Sequence, residues 1–189
     1  MDVEDTSKSG YHHLVFAYYH LFKRYLGLLL EKKMPLKHLF KAIINWQIEK
    51  TPGKRYIKNH TISIEGKSDL QLSAAKAFKG DPSLHNPEDL LLSSLMSCHM
   101  MSYLYVCSLH HINVLSYTDN ANGTLETDET GSGRFVEVNL HPVVTIDNPE
   151  QIELANTLHQ KANELCFIAN SCNFKVLHTP TCTVNESLT

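Results

Sequence analysis

The spacing of apolar residues changes near Pro35, from a helical period to the period of a strand. Before Pro35, apolar side chains recur every three or four residues, which predicts an amphipathic helix over residues 11–32. After Pro35, apolar and polar residues alternate in three segments, which are predicted to be half-buried strands: residues 40–49, 56–64 and 70–74. Short turns separate these strands, so we predict an antiparallel meander.

Two Asn-Pro-Glu sequences predict the starts of the two longer helices in the rest of the chain. In the first, Asn86 suits the N-cap, Pro87 suits the first helical position, and Glu88 complements the positive end of the helix dipole. The helical pattern continues from there to about His110. Asn148 begins the second helix with the same chemistry.

Most of the remaining segments are predicted to be strands. We predict a second hairpin over residues 113–127 and 133–146, a short strand at Phe174–Leu177, and a polar tail that contains Cys182. The order is helix, three strands, helix, two strands, helix, strand, so the predicted fold class is α+β. Residues 1–37 are interpreted as an N-terminal helical extension, and residues 38–189 as one domain.

The charges of the N-terminal helix argue against both a membrane span and a signal peptide. Lys23 and Arg24 lie in the middle of its apolar stretch. A span needs about 20 predominantly apolar residues, and a signal peptide carries its basic residues before the apolar ones. We expect the helix to pack on protein; the alternative is that it lies on a membrane surface.

Composition and charge exclude several classes of protein. The chain of 189 residues has 17 basic and 20 acidic residues and a net charge of −3. A nucleic-acid-binding domain is usually basic, so we expect no nucleic-acid partner. The five cysteines are odd in number and irregularly spaced, which does not suit a disulfide framework. Free thiols are typical of a reducing compartment, so we expect a cytoplasmic protein.

The cysteines differ in their predicted surroundings. Cys98 lies midway along the first long helix, among apolar residues and serines, and Cys107 lies on the opposite face, where we expect it to be core. His99 points about 100° away from Cys98 and is expected to be packed or on the surface. Cys166 ends the apolar stripe of the second helix, and Cys172 follows closely. The spacing of the later cysteines matches no common zinc pattern, so we predict no metal site.

Two segments of the chain resemble the OsmC/Ohr family of thiol peroxidases. The first contains His85–Leu90 and then Ser97-Cys98-His99, and the second runs from Glu164 to Ser171 around Cys166. The resemblance depends on an Asn-Pro-Glu helix start before one cysteine and on a second cysteine at a later helix end. It covers about residues 38–184, including the order of the elements.

The resemblance implies a peroxidase. Cys98 would attack the O–O bond of an organic hydroperoxide and become a sulfenic acid, and Cys166 would then form a disulfide with it. Cys172 is the alternative resolving thiol. An apolar pocket of the kind formed by Leu91, Leu95 and Met101 would favour alkyl or fatty-acid hydroperoxides. A dithiol reductant, such as a lipoylated protein, would restore the thiols, and no cofactor is implied.

One position departs from the family pattern. Relatives carry an arginine upstream of the Asn-Pro-Glu sequence, paired with its glutamate near the reactive thiol, and Lys79 stands where we expect that arginine. Lysine supplies the charge but not the planar fork of arginine. The alternatives for this role are Lys76, Arg55 and Arg134.

The resemblance implies that Glu88 lies against a reactive thiol, and the spacing of Glu88 and Cys98 then predicts a site shared by two chains. Ten residues of helix span about 15 Å, which a glutamate side chain cannot bridge. A two-fold axis would bring Glu88, and with it Lys79, to Cys98 of another chain. The resemblance also implies an intertwined homodimer. The alternative function, motivated by Lys79 and the N-terminal helix, is an OsmC-fold binding or adaptor protein with little peroxidase activity.

Overall fold

The computed structural model describes residues 35–48 and 57–184 of the chain. The chain divides into two compact units, Met1–Lys41 and Ala42–Thr189, and all elements given below belong to the second unit. The predicted helix over residues 11–32 lies outside the described residues. The predicted boundary between residues 37 and 38 stays a prediction.

Three short antiparallel strands form the first sheet, and they confirm the predicted meander. They are β1 (Ile43–Asn45), β2 (His60–Ser63) and β3 (Leu70–Leu72). Ile44 pairs with Ile62, which in turn pairs with Leu70. Ile43 and Ile44 point to opposite sides of the sheet, and they are 64% and 65% exposed. Both faces of β1 therefore present apolar side chains to solvent.

The long central helix, α1 (Pro87–Leu109), begins as the sequence predicts. Asn86 and Asp89 form a capping box, in which the Asp89 N–H donates to the Asn86 side chain at 2.9 Å and the Asn86 N–H donates to Asp89 at 3.3 Å. Six residues of α1 are buried: Leu95, Cys98, His99, Tyr103, Val106 and Cys107. Among the described residues, α1 is the one helix whose length and composition would suffice to cross a membrane, a test that core helices of soluble proteins also pass.

Four strands follow α1, where the sequence predicts two. They are β4 (Val114–Asp119), β5 (Asn122–Thr127), β6 (Gly133–Leu140) and β7 (Pro142–Ile146). Because β4 pairs with β7 and β5 with β6, the predicted hairpin exists, but both of its arms are interrupted. Asp119 stabilises this interruption, since its Oδ1 accepts the backbone N–H of His141 at 2.8 Å. The two halves of the hairpin consequently lie in different sheets.

The second long helix, α2 (Ile152–Leu165), follows a 3-10 turn over Pro149–Gln151. The side chain of Asn148 accepts the N–H of Glu150 at 3.0 Å, which confirms the predicted cap. α2 packs against α1. The buried residues of α2 share one face: Ala155, Leu158, His159 and Ala162.

Two parallel strands complete the sheets. β8 (Lys175–His178) pairs with β6, close to the predicted position, and β9 (Thr181–Val184) pairs with β7. The prediction of a polar tail around Cys182 was wrong, because Cys182 is buried in the core while Thr181 and Thr183 on either side are exposed. One buried residue between two threonines is a weak strand signal.

Two clusters of buried side chains form the core of the second unit. The larger joins α1, β4, β7, α2 and β9, and it includes Tyr103, Val144 and Ala162. The smaller joins α1, β6 and β8, and it includes Leu95 and Val138. Helices packed on small, mostly antiparallel sheets confirm the predicted α+β class.

Candidate thiol site

The structure brings Cys98 and Cys166 together. Cys98 lies in the middle of α1, and Cys166 is the residue that caps the C-terminus of α2. Both side chains are buried, 8% and 1% exposed, and they lie within hydrogen-bonding reach of each other. Both cysteines are free thiols. The packing of the two helices therefore creates a contacting pair of reduced thiols.

The surroundings of Cys166 keep it protonated. Burial raises the pKa of Cys166 to about 11, and the contact with Cys98 adds to this increase. The backbone N–H of Ala169 opposes the increase because it donates a hydrogen bond to Cys166 Sγ at 3.4 Å. At neutral pH, Cys166 is consequently a thiol. Its S–H can donate a hydrogen bond to a thiolate at Cys98.

The segment after Cys166 packs against apolar residues of α1. Leu91 and Leu95 of α1 belong to the same cluster as Ile168 and Ala169. Cys172 belongs to this cluster, whereas Cys98 and Cys166 do not, so an apolar pocket at Cys98 stays a prediction. Met101, the third residue of the predicted pocket, is 57% exposed, and its contribution stays a prediction.

The other three cysteines occupy different places. Cys172 donates its S–H to the carbonyl of Ile168 at 3.3 Å. Cys107 is buried, as predicted, and lies in the larger core cluster with Cys182. Within residues 35–48 and 57–184, no group of three His, Cys, Asp or Glu side chains is arranged to hold a metal ion.

Glu88 and Lys79 lie on different elements of the fold. Glu88 lies in the first turn of α1, and its Oε2 is buried without a hydrogen-bond partner among the described residues. Lys79 is exposed, has a φ of 60°, and ends a 3-10 turn over Lys76–Phe78. The described part of the chain contains no salt bridge between the two. A buried oxygen without a donor is costly, so Glu88 has room for a donor that the described residues do not supply.

A pair of buried histidines joins α1 to α2, the two helices that also carry the thiol pair. His99 Nε2 and His159 Nδ1 lie 3.0 Å apart, and both residues are fully buried. Burial lowers the pKa of His99 to about 4, and the nearby His178 has a smaller effect in the same direction. Burial also lowers the pKa of His159 to about 3, and His99 and His178 add to this decrease. The ring of Tyr103 stacks on His159, with centroids 3.8 Å apart. Both imidazoles are therefore neutral at pH 7.

Sequence reasoning did not find this pair. His99 was expected to be packed or on the surface, and His159 was not singled out. The available signal was the position of His159 on the buried stripe of α2, between Ala155 and Ala162. A histidine on an apolar stripe indicates burial, but it does not identify the partner.

Comparison with protein families decides which family the chain belongs to. Residues 80–179, more than half of the chain, match the family model described as OsmC-like protein. The chain belongs to the OsmC family. The matched region contains the thiol pair and begins directly after Lys79.

Solved structures share this OsmC fold. An OsmC-like protein of unknown function from Vibrio cholerae is 29% identical, with a TM-score of 0.66 over 76% of this chain and 99% of that one. An organic hydroperoxide resistance protein from Elizabethkingia anophelis is 20% identical, with a TM-score of 0.59 over 80% and 100% of the two chains. One from Legionella pneumophila is 21% identical, with a TM-score of 0.57 over 79% and 99%. A search of curated proteins finds no match.

Proposed function

We propose that this OsmC protein is a thiol peroxidase that reduces organic hydroperoxides through Cys98 and Cys166. The contact between the two buried thiols carries the proposal. A sulfenic acid is trapped reversibly where a second thiol can reach it, and Cys166 supplies that thiol. Proteins described as organic hydroperoxide resistance proteins share the fold, which supports the same substrate class.

The reaction has two steps. The Cys98 thiolate attacks the terminal oxygen of the hydroperoxide, the O–O bond breaks, and the alkoxide leaves and takes up a proton as the alcohol. Cys98 is then a sulfenic acid. The sulfur of Cys166 displaces its hydroxyl group, which leaves as water with the thiol proton, and a Cys98–Cys166 disulfide forms. The two thiols thereby supply the two electrons that reduce the peroxide.

A dithiol reductant completes the cycle. It transfers two electrons and two protons to the disulfide and becomes a disulfide itself, which is the chemistry of a dihydrolipoyl group on a lipoylated protein. Leu91 and Leu95 favour alkyl hydroperoxides over hydrogen peroxide because they lie in the apolar cluster against which the segment after Cys166 packs. The reducing cytoplasm is the compartment that suits this cycle.

A second copy of the chain completes the site. The buried Oε2 of Glu88 has no donor among the described residues, and the exposed Ile43 and Ile44 of β1 present an apolar surface on each face of the strand. In a two-fold homodimer, Lys79 and Glu88 of one chain would lie beside Cys98 of the other. Such a dimer would cover the exposed apolar surface and give Glu88 its partner.

Thiol counting tests the proposal. One equivalent of cumene hydroperoxide should remove two of the five thiols per chain, and peptide mapping should find a Cys98–Cys166 disulfide. Cys98→Ser should abolish the loss, while Cys107→Ala, which removes a buried cysteine of α1 outside the site, should not. A protein that loses no thiols would refute the peroxidase and favour the adaptor function. A Cys98–Cys172 disulfide would show that Cys172 is the resolving thiol.

A further inference from the structure

The His99–His159 hydrogen bond joins the same two helices as the thiol pair. His99 directly follows Cys98 on α1, and His159 precedes Cys166 by seven residues on α2. Seven residues correspond to about 10 Å along a helix axis. The α1–α2 interface therefore contains two polar contacts that are about 10 Å apart along α2.

The buried face of α2 around His159 consists of small and apolar residues. Ala155 and Ala162 of α2 are fully buried on either side of His159. Apolar contacts are not directional, so they restrict the rotation of a helix weakly. A hydrogen bond requires a narrow range of distance and angle. The bond at 3.0 Å consequently specifies how α2 is rotated and placed relative to α1.

A contribution to stability does not account for the buried histidine pair. His99 Nδ1 and His159 Nε2 are buried without hydrogen-bond partners among the described residues. Unsatisfied buried polar atoms are costly, and replacing such a group with well-packed apolar residues is often neutral or stabilising. A costly buried polar pair is best accounted for by the single arrangement that it specifies.

We propose that the His99–His159 hydrogen bond positions the thiol pair, by holding α2 at the rotation that keeps Cys166 against Cys98. Disulfides form only when the two Cβ atoms are about 3.5–4.5 Å apart. A rotation of α2 by about 30° moves an atom about 5 Å from the helix axis by about 2.5 Å, which would break that geometry. The inference rests on the proposed function for the roles of the two thiols.

A redox equilibrium without peroxide tests this role. The full-length protein is equilibrated with mixtures of oxidised and reduced dithiothreitol, and differential alkylation with mass spectrometry gives the fraction of Cys98–Cys166 disulfide. The two protein thiols lose two electrons and two protons, and oxidised dithiothreitol takes them up. His159→Phe keeps a ring to stack on Tyr103 but removes the hydrogen bond, so the equilibrium constant for disulfide formation should fall at least about tenfold, or about 1.4 kcal/mol.

Conservative variants separate the hydrogen bond from packing. His159→Asn places an amide where Nδ1 lies and should stay within about threefold of the wild type, since one hydrogen bond replaces another. His178→Asn is the matched control, because this ring lies 5.5 Å from His99 between centroids but makes no hydrogen bond to either buried histidine. It should leave the equilibrium unchanged. If His159→Phe does not fold, His99→Phe and His99→Gln provide the reciprocal comparison, since a glutamine amide reaches the place of Nε2.

Two results would overturn the proposal. One is an unchanged equilibrium constant in the phenylalanine variants. The other is an equal fall in the phenylalanine and amide variants, which would assign the effect to ring packing. The assay also separates this proposal from the peroxidase: a disulfide that forms with dithiothreitol but not with cumene hydroperoxide would refute the peroxidase alone.

Discussion

The buried histidine pair should make the protein sensitive to mild acid. His99 and His159 are neutral in the folded chain, and burial lowers the pKa values to about 4 and about 3. In an unfolded chain, histidine titrates near pH 6.5. Below that pH the unfolded chain binds protons that the folded chain does not, so the free energy of unfolding decreases as the pH falls. This decrease begins near pH 6.5 and ends near pH 4 for His99 and near pH 3 for His159.

The structure gives the size of the effect. A pH of 5 lies about 1.5 units below the pKa of histidine in the unfolded chain. Each of these units lowers the free energy of unfolding by about 1.36 kcal/mol per histidine. Each fully buried imidazole therefore costs about 2 kcal/mol at pH 5, and the pair about 4 kcal/mol. His178, whose pKa burial also lowers, adds to the loss. Asp119 opposes this loss because burial raises the pKa of its carboxyl group.

Urea unfolding at pH 7 and pH 5, at one protein concentration, measures this loss. With a slope of about 2 kcal/mol per molar urea, 4 kcal/mol corresponds to a fall of about 2 M in the midpoint. The double variant His99→Leu/His159→Leu should lose most of this fall, whereas His111→Asn, at an exposed position, should keep it. Equal midpoint changes in the wild type and the double variant would refute the reasoning.

Three further predictions concern the region around α1. Lys79→Met should slow the alkylation of Cys98 by iodoacetamide near neutral pH, because a nearby cation favours the thiolate. Lys79→Arg should preserve the rate. An unchanged rate in Lys79→Met from pH 6 to 9 would show that Lys79 is not part of the site. Refolding Cys98→Ser chains together with Glu88→Ala chains should restore part of the peroxidase activity, since one site of each heterodimer is intact; confirmed heterodimers without activity would show that Glu88 does not act across the dimer. Gly80→Ala should lower the free energy of unfolding by about 3 kcal/mol, because a Cβ at this position would lie 1.6 Å from the carbonyl oxygen of Ala74; a urea midpoint like that of the wild type would contradict this.

Features that depend on neighbouring residues were predictable from the sequence. The Asn86-Pro87-Glu88 start of α1 and the meander of β1, β2 and β3 follow from cap chemistry and from alternation, and the structure confirms both. The interruption near His141 was not predictable, because it depends on a hydrogen bond to Asp119, which is 22 residues away. The pairing of β9 with β7 was missed for the same reason.

The candidate site shows the same limit. Cys98 and Cys166 are 68 residues apart, and only the resemblance to the OsmC/Ohr family suggested that they meet. Spacing along α1 did identify Cys107 as a core residue, because the faces of a single helix follow from its period. No such rule links His99 to His159, since their contact depends on how two helices pack.

Because β9 pairs with β7, this sheet cannot be completed until β9 has been synthesised. β7 ends at residue 146 and β9 at residue 184, so at about 5–20 residues per second the ribosome needs about 2–8 s to supply the closing strand. Until β9 is available, the core cluster that buries Cys107 lacks the side chains of Cys182 and Val184. A slow codon between these two strands should therefore lengthen the time for which this cluster is incomplete.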